Sequence, residues 1–233
     1  MSPTGNEANK GARARIFAKL KTALQDGPLA ESRRANVEQR LATPPAHLLP
    51  ARTKGAPDEL RRMFRSYLEG QSSTVIEVAT SDAIPRTVGD YLRANNLALT
   101  VRAGTDTYLA ALPWTTEPAL RRDAGAADGR DETGLSHAAA GIAETGTLAL
   151  LSGADNPVTL NYVPETHIVI VEASDLVGAT EEVWPKVRAR FGRGQMPRTV
   201  NFVSGPSRTA DIAGTLVTGA HGPRRLCVIV VGR

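Results

Sequence analysis

Short runs of aliphatic and β-branched residues recur along this 233-residue chain and constrain its fold more than any other feature. TVIEVA (74–79), LALTVR (97–102), TLALLS (147–152), HIVIVEA (167–173), TVNFV (199–203) and LCVIVV (226–231) read as strands. Two of them, 148–151 and 168–171, are apolar at every position, as strands covered on both faces must be. Amphipathic helices alternate with them. Leu60, Met63, Phe64, Tyr67 and Leu68 share one helical face. A helix to about residue 94 is expected behind a Ser81 or Asp82 cap, with Pro85 in its first turn. Another, preceded by Ser174 or Asp175, carries Val183, Trp184, Val187 and Phe191. Residues 113–133 are charged and read as loop. The alternation defines an α/β fold: a mostly parallel sheet with helices on both faces. Aromatic residues make up only 4% of the chain, so Leu, Val, Ile and Ala must fill the core.

Two regions divide the chain. Residues 57–233 hold all the strands. Residues 1–50 form a basic helical extension and linker: 1–10 read as disordered, helical spacing follows over 13–24 and 29–41, and Pro44, Pro45 and Pro50 mark an extended segment. Its thin apolar faces are expected to lie across the main domain or a neighbouring subunit of a homo-oligomer. Positive charge concentrates at this end. Residues 1–70 carry 13 Lys/Arg against 7 Asp/Glu, whereas the remainder is slightly acidic. The basic segment lacks the aromatic interleaving and reader motifs of a nucleic-acid footprint, so no nucleic-acid partner is expected. No apolar run approaches the ~18 residues of a membrane span, and the first 20 residues lack a signal-peptide core. A cytoplasmic location is therefore expected. The single cysteine, Cys227, sits inside LCVIVV and reads as a buried strand residue. One cysteine cannot hold a Cys-ligated iron–sulfur cluster.

Chemistry-bearing residues gather in two stretches. In GIAETGTLALLSG (141–153), Glu144 stands two residues before Gly146, at the start of a buried strand and flanked by Thr145. Such a carboxylate suits a general base or nucleophile, or it pins the turn by accepting backbone N–H bonds. The second stretch is SGPSRTADIAGTLVTGAHG (204–222), between two strands. Ser204, Gly205, Ser207, Arg208, Thr209 and Asp211 read as a loop entering a short helix, with Ser207 as its cap. Backbone N–H groups there, with Arg208 and Thr209, could hold a phosphate or carboxylate, or the segment is simply a capped turn. His221 is either a proton carrier or a polar turn residue. Ser207, Asp211 and His221 do not fit a hydrolytic triad, because the serine lacks a GxSxG elbow. His137 and His167 show no metal-ligand spacing, and no metal site is expected. His167 opens a strand and reads as structural. Residues 155–165, with Asn161 and Tyr162, could converge on the first stretch or merely form turns.

ETGT, VPETHIVIVEAS, SGPSRTADI and GAHGPR occur in that order, and the chain from about residue 60 onward resembles the lactate utilization protein C family of LUD-domain proteins. The resemblance implies a fold like that of ribose-5-phosphate isomerase and class I CoA transferases. It implies a subunit of an L-lactate to pyruvate oxidation system, working with iron–sulfur partner proteins that carry the clusters, with no cofactor in this chain. It implies a cleft for a small carboxylate or anionic cofactor. In CoA transferases a glutamate near a glycine turn accepts the acyl group, and Glu144 is similar in local pattern. The alternatives are a stand-alone isomerase- or CoA-transferase-like enzyme using Glu144, and a non-catalytic scaffold for the iron–sulfur partners.

Overall fold

The apolar runs assemble into one large parallel sheet in the computed structural model, which describes residues 5–23, 30–44, 48–212 and 215–232. Its strands are β1 (Thr74–Val78), β2 (Thr100–Ala103), β3 (Arg121–Ala124), β4 (Thr133–His137), β7 (Thr166–Glu172) and β12 (Arg225–Val231). They lie in the order β1-β12-β7-β4-β2-β3, every pair parallel. Alternate residues face opposite sides, as a strand requires. On one face Leu135, Ile168, Ile170, Cys227 and Ile229 pack under two helices, α4 (Ile84–Ala94) and α5 (Thr107–Ala111). On the other, Val169, Val171, Val228 and Val230 meet Phe64 and Leu68 of α3 (Pro57–Gly70). Burying one such Leu or Phe is worth about 1.5–3 kcal/mol, so these faces dominate the core. Burial of Cys227 pushes its thiol up to about 12.

A second, four-stranded sheet lies against the α3 face. It contains β5 (Ala140–Ile142), β6 (Thr147–Leu151), β8 (Leu176–Val177) and β9 (Val200–Val203), in the order β8-β5-β6-β9. Strand β6 pairs antiparallel with both neighbours. Leu148 and Leu150 turn toward the large sheet, while Ala149 and Leu151 turn toward Val183 and Val187 of α6 (Val183–Phe191). The uninterrupted apolar run of β6 thus has both faces covered. Its covering is a sheet on one side and a helix on the other, not membership of the parallel sheet.

Three local expectations give way. The 204–211 segment does not enter a helix. It forms a hairpin of β10 (Arg208–Ile212) and β11 (Thr215–Thr218), with Arg208 opposite Thr218 and Ile212 opposite Thr215. Thr209, Ile212, Thr215, Val217 and Thr218 are β-branched, and that stiffness favours strands over a helix. The charged 113–133 stretch contains edge strand β3, whose Arg and Asp side chains protect an unpaired sheet edge. Neither Ser81 nor Asp82 caps α4 with its side chain; a 3-10 turn over Ser81–Ala83 leads into it, with Pro85 second in the helix.

Residues 1–46 form a separate unit from 47–233. It contains α1 (Gly5–Ala23) and α2 (Ala30–Ala42). Helix α1 begins inside the stretch expected to be disordered, where Glu7, Ala8 and Lys10 are good helix formers. Ile16, Phe17 and Leu20 of α1 are exposed.

Candidate functional site

The β5–β6 turn is held by α3. Gly146 has φ +59°, and a Cβ there would stand 2.7 Å from the Tyr67 Cβ and 2.8 Å from the Leu68 nitrogen. Only glycine fits so close an approach in a left-handed conformation. From this turn the Thr145 and Thr147 hydroxyls hydrogen-bond at 2.7 Å, and Thr147 bonds Ser204 at 2.6 Å. Antiparallel pairing of β6 with β9 places Ser204 there. Gly205 has φ +134°, and a Cβ there would stand 2.9 Å from the Gln71 Cβ just past the end of α3. Glu144, Thr145, Gly146, Ser204 and Gly205 therefore share one end of the four-stranded sheet. One oxygen of the Glu144 carboxylate accepts from Arg52 at 3.2 Å and the other from the Thr180 N–H at 3.4 Å. Its own N–H donates to the Gly178 carbonyl at 3.1 Å.

The hairpin base is organised separately. Ser207 does not cap a helix; its hydroxyl accepts from the His221 N–H at 3.2 Å, and its own N–H donates to the Pro223 carbonyl at 2.8 Å. Arg208 and His221 are exposed. The side chains of Thr209 and Asp211 lie outside the described residues. Nearby, the Tyr162 hydroxyl donates to Asn201 at 3.1 Å, while Asn156 donates to the Leu151 carbonyl at 3.3 Å. His167 is the second residue of β7 and fully buried. Desolvation pushes its pKa down to about 3, so it stays neutral, 2.9 Å from the Ser136 hydroxyl.

A third region, outside the two motif-bearing stretches, lies at the carboxyl ends of the parallel strands. Open α/β sheets place their ligand crevices at that edge. Asp106 follows β2 and caps α5 by accepting the Leu109 N–H at 2.8 Å. Its other oxygen lies 3.5 Å from Nδ1 of His137, the last residue of β4. Burial alone would raise the Asp106 pKa. Bonds from His137 and from the Leu109 and Tyr108 N–H groups outweigh it and hold the carboxyl below its ordinary range. The Tyr108 ring stacks on His137, centroids 4.4 Å apart, and its hydroxyl donates to Glu172 at the end of β7. Burial and that bond push the phenol pKa up, so Tyr108 remains a donor. Nε2 of His137 is buried and has no hydrogen-bond partner among the described residues. His137 lines a cleft of about 470 Å³ with Leu151, Asp175, Lys186 and Arg190. Lys186 pairs with Asp175 at 2.6 Å, and Arg190 pairs with Asp155. The available signal was positional: polar residues standing directly after apolar strands.

The parallel sheet covered by helices, with a second sheet against one face, defines an α/β protein. Residues 53–231 match the LUD domain, and the chain belongs to that family. It is 36% identical over 100 residues to lactate utilization protein C of Shouchella clausii, covering 43% of this chain and 44% of that one. It is 39% identical over 101 residues to lactate utilization protein C of Halalkalibacterium halodurans, again covering 43% and 44%. The chain thus spans under half the length of these curated relatives. A crystal structure of a DUF162 family protein from Deinococcus radiodurans matches 76% of this chain and 99% of its own, with TM-score 0.54 and 24% identity, and shares the fold. No helix among the described residues is long and apolar enough to cross a membrane.

Proposed function

We propose that this chain is a component of an L-lactate utilization system, acting with iron–sulfur partner proteins in the oxidation of L-lactate to pyruvate and binding a small carboxylate or anionic cofactor. The observation that carries the reading is the LUD match over 53–231, joined to relatives named lactate utilization protein C. Within it Glu144 braces the β5–β6 turn, one oxygen accepting from Arg52 and the other from the Thr180 N–H. Growth on L-lactate as sole carbon source tests the proposal. A strain lacking this chain should fail and recover with the wild-type chain, and co-purification should bring down cluster-bearing proteins. Unimpaired growth of the deleted strain contradicts it. Repeating the co-purification without residues 1–50 shows whether the basic extension makes the contact.

A further inference from the structure

The cleft at the carboxyl edge of the parallel sheet contains an unmet hydrogen-bonding demand. An imidazole nitrogen buried without a partner loses its hydration with nothing in return, so such atoms mark strain, a bound molecule or chemistry. Nε2 of His137 is such an atom, and the ring bearing it lines the cleft. The ring is fixed from two sides. Tyr108 stacks on its face, and Asp106 stands at Nδ1. A carboxylate only accepts, so an Nδ1 proton faces Asp106 and Nε2 is the nitrogen left to accept. Asp106 is itself fixed by capping α5, and Tyr108 by Glu172.

Across the cleft, Lys186 and Arg190 are four residues apart on α6, so they share one helical face. Each is steadied by an aspartate, yet neither is used up. Arg190 has five N–H donors and Lys186 three, and only one nitrogen of each contacts its aspartate. A ligand that suits this arrangement has an anionic group for the helix and a hydroxyl for the imidazole. A volume of about 470 Å³ is within the range of small-molecule sites and leaves room for a second reactant beside a three-carbon acid.

We propose that this cleft binds a small 2-hydroxy carboxylate, its carboxylate on Arg190 and Lys186 and its hydroxyl donating to Nε2 of His137, with Asp106 as the positioning residue behind the ring. The proposal rests on the lactate-utilization reading and assigns it a place in the fold that the ETGT and SGPSR motifs do not mark.

Calorimetry on the full chain tests it, with L-lactate as probe and propionate, which lacks the 2-hydroxyl, as comparison. Wild type should bind L-lactate roughly tenfold more tightly than propionate, the effect of about one good hydrogen bond. His137→Gln should remove that preference. Arg190→Gln should weaken both acids about tenfold or more. Arg86→Gln, an equal loss of charge on the exposed face of α4, should change neither. Arg190 is half-exposed and its variant keeps the fold, so it decides the matter even if His137→Gln proves unstable. Unchanged L-lactate binding in Arg190→Gln overturns the assignment. So does loss of binding in Arg208→Gln with His137→Gln unaffected, which would leave the carboxylate-binding reading intact and move the site to the hairpin. Absence of L-lactate binding by the wild-type chain overturns the assignment, while growth on lactate separately decides the broader reading.

Discussion

The β5–β6 turn with its Ser204 neighbour and the carboxyl edge of the parallel sheet are both rich in polar side chains, yet they differ in what is left over. At the turn, Thr145, Thr147 and Ser204 satisfy one another, and Glu144 accepts from Arg52 and the Thr180 N–H. At the carboxyl edge, every group in the Asp106–His137–Tyr108–Glu172 cluster is held in place, but one buried nitrogen faces no partner. A self-satisfied network specifies local structure; in a preorganised network, a buried nitrogen without a protein partner is where the proposed ligand would bind.

Acid is the strongest way to perturb both regions together, since both depend on the core around β7. His167 has its pKa lowered from 6.5 to about 3. The unfolded chain therefore binds a proton that the folded chain does not. Stability from this group is complete above pH 6.5 and is lost as pH falls toward 3, at about 1.4 kcal/mol per pH unit. Denaturant titrations of His167→Gln between pH 7 and roughly pH 4 should show that slope flattened. Asp106 adds a smaller loss at lower pH: its depressed carboxyl stabilises above its ordinary 3.8 and stops doing so as it protonates.

Two glycines come next. A Cβ on Gly104 would lie 2.0 Å from the Asp155 carbonyl oxygen, next to the aspartate that steadies Arg190. Gly104→Ala should cost about 3 kcal/mol, lowering Tm by roughly 6–12 °C, and should take L-lactate affinity with it. Gly146→Ala, clashing with α3 at positive φ, should cost a comparable or smaller amount, about 1–3 kcal/mol, yet leave the folded protein's affinity for L-lactate in place. Equal effects on affinity would break the distinction between the regions.

Asp106→Asn separates structure from binding within the carboxyl edge. Asn caps a helix about as well as Asp, so Tm should move by less than ~1 kcal/mol equivalent. The His137 proton on Nδ1 loses its carboxylate, and L-lactate binding should fall severalfold. Glu144→Gln should do least. The Arg52 partner is 61% exposed, and such pairs are worth at most about 1 kcal/mol. Growth on lactate should continue in that variant at normal abundance; a stable Glu144→Gln chain that fails to support it would restore Glu144 as a reacting group.

The sequence made the core strands legible because β7 and β12 are apolar on both faces, and the motifs fixed the family. Strand β6 was legible as doubly buried but not as part of a second sheet, since periodicity registers burial and not the identity of what covers it. The hairpin is not legible locally because Ser-Gly-Pro-Ser resembles a helix start, while the strand preference of the β-branched residues after it emerges only over the whole 208–218 span. The carboxyl-edge cluster was illegible for a different reason. Asp106 looks like a helix cap, His137 borders a charged stretch, Glu172 ends an apolar strand, and Lys186 and Arg190 are ordinary polar-face residues of a helix. Only strand order brings β2, β4 and β7 to one edge, and strand order is a tertiary fact.

The most direct test uses the four histidines as reporters. In protein labelled with 15N at the imidazole rings, titration with L-lactate should shift the His137 Nε2 resonance, assigned by its disappearance in His137→Gln. The buried His167 and the exposed His221 should stay where they are. A shift at His221 with His137 unmoved would place the ligand at the hairpin and contradict the account.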